Sequence, residues 1–278
     1  MSNFAKIFKY ITMKKVVIIL SVMAFIAGCC GGGQSPKSTE IPFETVVVSD
    51  SVMVMEDYVF HFNFSLLEFP TIKDKQLLDK IYVPADIQAD DYSKEGLLAA
   101  IKKYQENEVE GANQVEGAKM AYDANDEGQK LSEYFCAMGI FSQSDGLLTI
   151  GYQRGCYLNG AAHPWYSEQY RVFDLQANKM IANTDVFKDV NDERLGEILM
   201  QYLEKYLEPV EYTVENVKTF IDADKILVNS NFYFNETEIT FVYNQYEIAP
   251  YAIGVIYVTI PFAEIGDYLR PSFSAYLK

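Results

Sequence analysis

The chain of 278 residues carries 39 acidic side chains against 23 Lys and Arg, a formal net charge of −16. That sign excludes nucleic acid as a partner, because a phosphate backbone is bound by a basic footprint. Hydrophobic residues at 49% and charged residues at 22% describe a folded globular protein rather than a disordered one, long enough for one large or two modest domains.

Residues 1–28 form a separate object. Lys6, Lys9, Lys14 and Lys15 precede an apolar run from Val16 to Ala27, and no acidic residue occurs before Glu40. A run of about a dozen residues is short for a membrane-spanning helix and fits the core of a signal peptide. It ends in Ile26-Ala27-Gly28-Cys29, which resembles the bacterial lipobox: an aliphatic residue, two small ones, then the Cys that receives lipid such as palmitate. Cys30 is a poorer acceptor, since it leaves Gly28 one step too far away. Met13-Lys14-Lys15 reads as the usual start of such a signal, with Met1 the alternative start. Cleavage removes four lysines and no acid, so the mature part is more acidic still. The expected product is a lipid-anchored protein of the cell envelope; an uncleaved anchor with a cytosolic tail is the alternative. No acidic run follows Cys29, which makes a periplasm-facing address the default. Residues 29–42, including the Gly31 to Thr39 stretch GGGQSPKST, read as a flexible tether.

Beyond the tether the pattern predicts an α+β fold of antiparallel sheets with packed helices, in two abutting parts at 43–176 and 177–278. From Phe43 to Phe69 the reading is β, with a turn at Ser49-Asp50-Ser51. Phe60, Phe62 and Phe64 share one face, and His61, Asn63 and Ser65 take the other. Asp74 to Tyr82 predicts a short helix stopped by Pro84, and Ser93 caps a second helix bearing Leu97, Ile101 and Tyr104. From Glu106 to Lys130 the text is polar and Gly-punctuated, which predicts a broken helix or long loop. Asp123, Asn125, Glu127 and Gly128 there match the first, third, fifth and sixth positions of a calcium loop. The twelfth position is Tyr134, with Glu133 one place early, so bidentate ligation fails and no metal is expected.

Ser132 to Ile140 and Leu147 to Tyr157 predict a hairpin across Ser144-Asp145-Gly146. Cys136 and Cys156 lie near its open ends; a disulfide or two small buried thiols are equally open, because register decides whether they share a face. Neither pair of cysteines has zinc-site spacing. A small-residue loop through His163 and Pro164 precedes a strand from Tyr166 to Phe173. Asn191 caps a helix whose Leu195, Ile198, Leu199, Tyr202 and Leu203 repeat at helical spacing. Thr213 caps a shorter one bearing Val214, Val217, Phe220 and Ile221. Phe232–Phe234 and Ile239–Tyr243 then flank a turn at Asn235-Glu236-Thr237. After the elbow from Asn244 to Gly254, where Tyr246, Glu247, Pro250 and Tyr251 crowd together without period, comes a strand with Ile256, Val258, Ile260 and Phe262 on one face. Pro261 ends it or marks a sheet edge.

Two of these stretches together carry a resemblance. Gly160-Ala161-Ala162-His163-Pro164 resembles a GGAHP-type loop, and Tyr246-Glu247-Ile248-Ala249-Pro250-Tyr251-Ala252-Ile253-Gly254 resembles the most characteristic stretch of the same family. This is a domain of unknown function shared by the extracytoplasmic part of the anti-sigma factor RsiV, a lysozyme receptor, and the non-catalytic region of the peptidoglycan deacetylase PdaC. The resemblance spans roughly Phe43 to Leu269. It implies an α+β fold with a PdaC-like first part and an RsiV-like second part, and no known catalytic residues. Here Gly160-Ala161 stands where the motif has Gly-Gly. The anti-sigma role does not carry over, since at most fifteen residues precede the apolar run.

An enzyme would need a nucleophile with a base, paired carboxylates or a metal. The chain has two His residues and no such constellation, so no catalytic residue and no cofactor is expected. Glu247 is the best single candidate for a weak carboxylate-dependent glycan hydrolase, though a hydrogen-bonded elbow residue is the simpler reading. A binding protein is expected instead, with His163, Trp165, Tyr246, Glu247 and Tyr251 as its surface and either a cationic protein such as lysozyme or peptidoglycan as its partner. For the anchor, mass spectrometry of the native N-terminus should find lipid on Cys29 and residues 1–28 gone. A retained Met13 terminus, with Cys29→Ser still on the membrane, would overturn that.

Overall fold

The structure, a computed structural model, describes residues 40–55, 58–114, 130–207 and 226–277. The lipobox, the calcium-like stretch from Asp123 and the Thr213 helix lie outside them. Among the described residues the strands make two sheets, one of six strands and one of three. No described helix is long and apolar enough to cross a membrane. The α+β class is as the sequence predicts.

The first sheet opens with β1 (Glu44–Met55) and β2 (Tyr58–Glu68), paired antiparallel with Ser49, Asp50 and Ser51 opposite Asn63, Phe62 and His61. The turn expected at Ser49 to Ser51 is therefore absent. β1 lies at the sheet edge, where a polar run satisfies itself with solvent and with its neighbour, as Ser49 Oγ does by donating to Asn63 Oδ1 at 2.8 Å. Helices α1 (Lys75–Tyr82) and α2 (Lys94–Gln114) follow. Ser93 Oγ accepts the Gly96 N–H at 3.2 Å and caps α2 as the sequence predicts, and Asp74, just outside α1, caps it by accepting the Leu77 N–H at Oδ1, 3.1 Å away. α2 runs unbroken past Glu106 to Gln114, against the expected break, because its Leu97 and Ile101 are buried on the sheet and hold it there.

β3 (Lys130–Ser144) then returns parallel to β2, the one exception to the antiparallel expectation, since the two helices carry the chain back across the sheet. β4 (Leu147–Tyr157) closes the hairpin through Asp145 and Gly146, whose φ of 49° and 81° are what a tight two-residue turn requires. β5 (Trp165–Asp174) and the short β6 (Lys179–Met180) complete the sheet. Phe60, Phe62, Leu66, Ile81, Tyr82, Leu97, Leu148 and Tyr152 are buried beneath the helices as the first core.

The second core gathers under α3 (Asn183–Val186) and α4 (Glu193–Leu207). Asp192, not Asn191, caps α4: its Oδ1 accepts from the backbone of Arg194 at 2.9 Å and Leu195 at 3.2 Å. Leu195, Leu199 and Leu203 pack on the three-stranded sheet β7 (Phe232–Phe234), β8 (Glu238–Tyr243) and β9 (Ile256–Pro261), burying Phe241, Val258 and Ile260. Each such side chain contributes about 1.5–3 kcal/mol of apolar transfer. β9 is an edge strand ending at Pro261, followed by the single turn α5 (Phe262–Ile265).

The joint between the two sheets is made by side-chain amides. Only Phe173 and Asp174 of β5 pair with β6, so the backbone of the rest of β5 is without a strand on that side. Asn231 fills part of it, its Oδ1 accepting the Tyr170 N–H and its Nδ2 donating to the Glu168 carbonyl at 2.7 and 2.8 Å. Asn244 accepts the Glu168 N–H at 2.7 Å and donates to the same carbonyl at 3.0 Å. An asparagine side chain carries a carbonyl acceptor and N–H donors as the backbone does, and so stands in for a strand. Asn231→Ala leaves a buried N–H unpaired and should lower unfolding free energy by about 1–3 kcal/mol in urea titration. An unchanged midpoint would mean that the joint is held elsewhere.

Candidate functional site

Two loops meet at one end of this joint. The first links β4 to β5 and is pinned at its start by Ser132, whose Oγ accepts the Asn159 N–H at 2.9 Å. The second is the elbow after β8. Glu247 N–H donates to the Asn244 carbonyl at 3.1 Å and Tyr246 N–H to the Ala249 carbonyl at 2.9 Å, closing a knot in which Tyr246 sits at φ 67°. A non-glycine residue there is strained and must be held by its surroundings. The elbow leaves through a single 3-10 turn at Tyr251–Ile253 and then Gly254, at φ 82° and ψ −155°, a region that only glycine occupies freely.

These two loops bring three of the five predicted residues together. The His163 and Tyr251 rings stack 3.9 Å apart at 27°, and Tyr246 lies 5.9 Å from Tyr251. His163 Nδ1 lies 3.1 Å from the Pro164 carbonyl and Nε2 3.3 Å from the Tyr246 hydroxyl. A carbonyl can only accept, so Nδ1–H donates to Pro164, while Nε2 and the Tyr246 hydroxyl share the second bond. The cluster faces solvent: His163 is exposed and Tyr246 is 67% exposed.

The other two predicted residues lie elsewhere. Glu247 is exposed and is met by Asn244 Nδ2 at 3.4 Å, an elbow-bracing contact rather than a carboxylate pair. Trp165 stands opposite Cys156, on the face of β5 turned away from Tyr166. Its ring is 49% exposed and lies 5.8 Å from the Arg154 guanidinium, which also pairs with Asp86 at 2.8 Å. No described ring contact joins it to His163, Tyr246 or Tyr251. Cys136 stands opposite Arg154 and Cys156 opposite Tyr134, so the two thiols share a face as diagonal neighbours. Both are free thiols lining a cavity of about 70 Å³ with Trp165, and burial pushes the Cys136 thiol up to about 12.

One group escaped the sequence reading. Glu168 is 7% exposed, and its carboxylate accepts hydrogen bonds from the hydroxyls of Tyr166, Tyr170 and Tyr257. Tyr166, Glu168 and Tyr170 alternate along β5, and that i, i+2, i+4 pattern was the available signal. Tyr257 comes from β9, so its arrival was not visible. The face continues over Phe141, Tyr170 and Tyr233, whose rings lie 4.5 to 5.1 Å apart. The elbow carries an exposed ring at Tyr246, and the face beside it an exposed one at Phe141. Among the described residues no group of three His, Cys, Asp or Glu side chains is placed to hold a metal.

Part of the chain is similar to a known family, and its fold to that of two solved structures. The model of the family "Protein of unknown function (DUF3298)" matches residues 184–263, which include the elbow and all of the second sheet. A DUF3298-family crystal structure from Bacteroides fragilis superposes with a TM-score of 0.64 at 20% identity, covering 85% of this chain and 97% of its own. One from Pseudomonas aeruginosa gives 0.61 at 18%, covering 84% and 97%. These likenesses establish the fold. No curated protein matches the chain.

Burial first, then the bond to and charge of Glu168, push Tyr166 and Tyr257 far above the ordinary tyrosine range; burial and the Glu168 charge do the same for Tyr170. Above about pH 10 the unfolded chain releases tyrosine protons that the folded chain keeps, so stability present below that pH is lost as pH rises. Urea midpoints should hold between about pH 7 and 9 and fall above about 10. Glu168→Gln, which removes the charge, should make that fall shallower; an identical slope would deny the coupling.

Proposed function

We propose that this chain is a lipid-anchored, extracytoplasmic binding protein of the cell envelope, and that its recognition surface is the His163, Tyr246 and Tyr251 cluster with the tyrosine face beside it. The observation that carries this is the elbow itself. Backbone strain at Tyr246 is maintained to hold an aromatic ring in water, where it adds little to either core. Glu247 braces the elbow in this reading, and Trp165 belongs to a separate surface.

The partner we favour is a cationic envelope-active protein such as lysozyme, because the chain's net charge of −16 would speed its encounter with a basic protein. A second reading, a cell-wall glycan, is favoured by the stacked His163 and Tyr251 rings, which suit the apolar face of a sugar.

Association kinetics with lysozyme and with muropeptides across a salt series separate the two. Protein binding steered by charge should slow markedly toward physiological salt, where exposed charges are screened beyond about 8 Å. Stacking on a glycan should be insensitive to salt. In either case Tyr251→Ala and Tyr246→Ala should weaken binding by about 1–2 kcal/mol each, and the muropeptides should be recovered uncleaved. Wild-type affinity in both variants, or no binding of either ligand, would remove this surface from consideration.

A further inference from the structure

A second surface lies at the opposite edge of the first sheet. Among the described residues β1 pairs only with β2, so its other side has no strand partner, and there only the Ser51 N–H is met from within the strand, by Asp50 Oδ1 at 2.8 Å. Helix α2 lies over this edge and encloses with it a groove of about 430 Å³. Val48, Asp50 and Val52 of β1 form one wall and Leu98, Lys102, Gln105 and Val109 of α2 the other. Gln105 is only 6% exposed, and its side-chain Nε2 has no hydrogen-bond partner among the described residues. A buried donor left unpaired is costly, and an oxygen entering the groove would offset that cost.

We propose that this groove is a strand-addition site, taking an extended peptide that pairs with the free edge of β1 beneath α2. The side chains on the wall specify the occupant. Cross-strand neighbours on one face interact directly, so residues opposite Val48 and Val52 are aliphatic and the residue opposite Asp50 is Lys or Arg. The segment is thus aliphatic, basic and aliphatic at alternate positions. A second copy of this chain fits less well, since antiparallel pairing about the middle of β1 would set two Asp50 carboxylates together. The site is separate from the elbow, and the proposal stands whether or not the elbow binds anything.

Two labelled heptapeptides of alternating threonine, with Val, Lys, Val or Val, Glu, Val at the inner positions, test this on the full chain in detergent micelles. The Lys peptide should bind, and the Glu peptide should bind about fivefold more weakly or worse, as a favourable cross-strand pair becomes a like-charge one. Asp50→Lys, an exposed change that leaves both cores intact, should reverse that order. Backbone N-methylation of alternate residues should abolish binding for the set that faces β1 and spare it for the other. Equal affinity for the two peptides, no binding of the Lys peptide by folded protein, or indifference to both methylation patterns would overturn the proposal. So would a dimer that Asp50→Ala tightens and the peptide fails to displace, which would assign the edge to a second copy.

Discussion

The arrangement of this molecule depends on how the free edge of β5 is satisfied. An edge strand next to a second core cannot leave its peptide groups dry and unpaired, and a full strand there would merge the two sheets into one. Two asparagines resolve this with side chains alone. Asn231 is itself fixed by Asn229, whose Oδ1 accepts its N–H at 2.9 Å, and by β8, whose Val242 N–H donates to its carbonyl at 2.8 Å. The second sheet therefore reaches β5 at a set position and angle, with each sheet keeping its own twist and its own core.

Asn244 links that joint to the exposed cluster. One of its ends holds the Glu168 peptide group, and its carbonyl accepts the Glu247 N–H that starts the elbow. The same residue thus sets the height of the elbow above β5, and with it the approach of Tyr251 to His163, which arrives from the other loop. Glu168 reinforces the connection from its side chain, since Tyr166 and Tyr170 come from β5 and Tyr257 from β9. A buried carboxylate is costly unless its lone pairs are filled, and here three hydroxyls from two sheets fill them. Moving either sheet relative to the other would break several of these bonds at once.

The sequence revealed what local rules govern. Asp145-Gly146 announces its turn because few other pairs adopt those dihedrals, and the alternation of Phe60, Phe62 and Phe64 survives because one face must be buried. Where tertiary context decides, local reading failed for identifiable reasons. Ser49-Asp50-Ser51 has turn composition but sits on an edge strand, where polar side chains are affordable on either face. Nearness in sequence groups Trp165 with His163, whereas a strand sends neighbours to opposite faces and puts Tyr166 and Glu168 on the other face from Trp165. Asn231 and Asn244 lie in polar stretches between strands, and nothing in their neighbourhood names the β5 backbone that they serve.

The two edges of the first sheet then stand in contrast. At β5 the edge is closed permanently by amides from within the chain, and the surface next to it is free to carry rings without inviting another strand. At β1 no such cap is described, and protection rests on the Asp50 charge and on the register shift between Met53 and Met55, which interrupts the ladder near the strand's end. A charge and a bulge deter a like edge without blocking the groove under α2. The parallel return of β3 is what makes this possible, because the crossover helices must lie on one face and α2 reaches the sheet margin only by spanning it. The connection that gives the fold its mixed sheet also shelters its one uncapped long edge among the described strands.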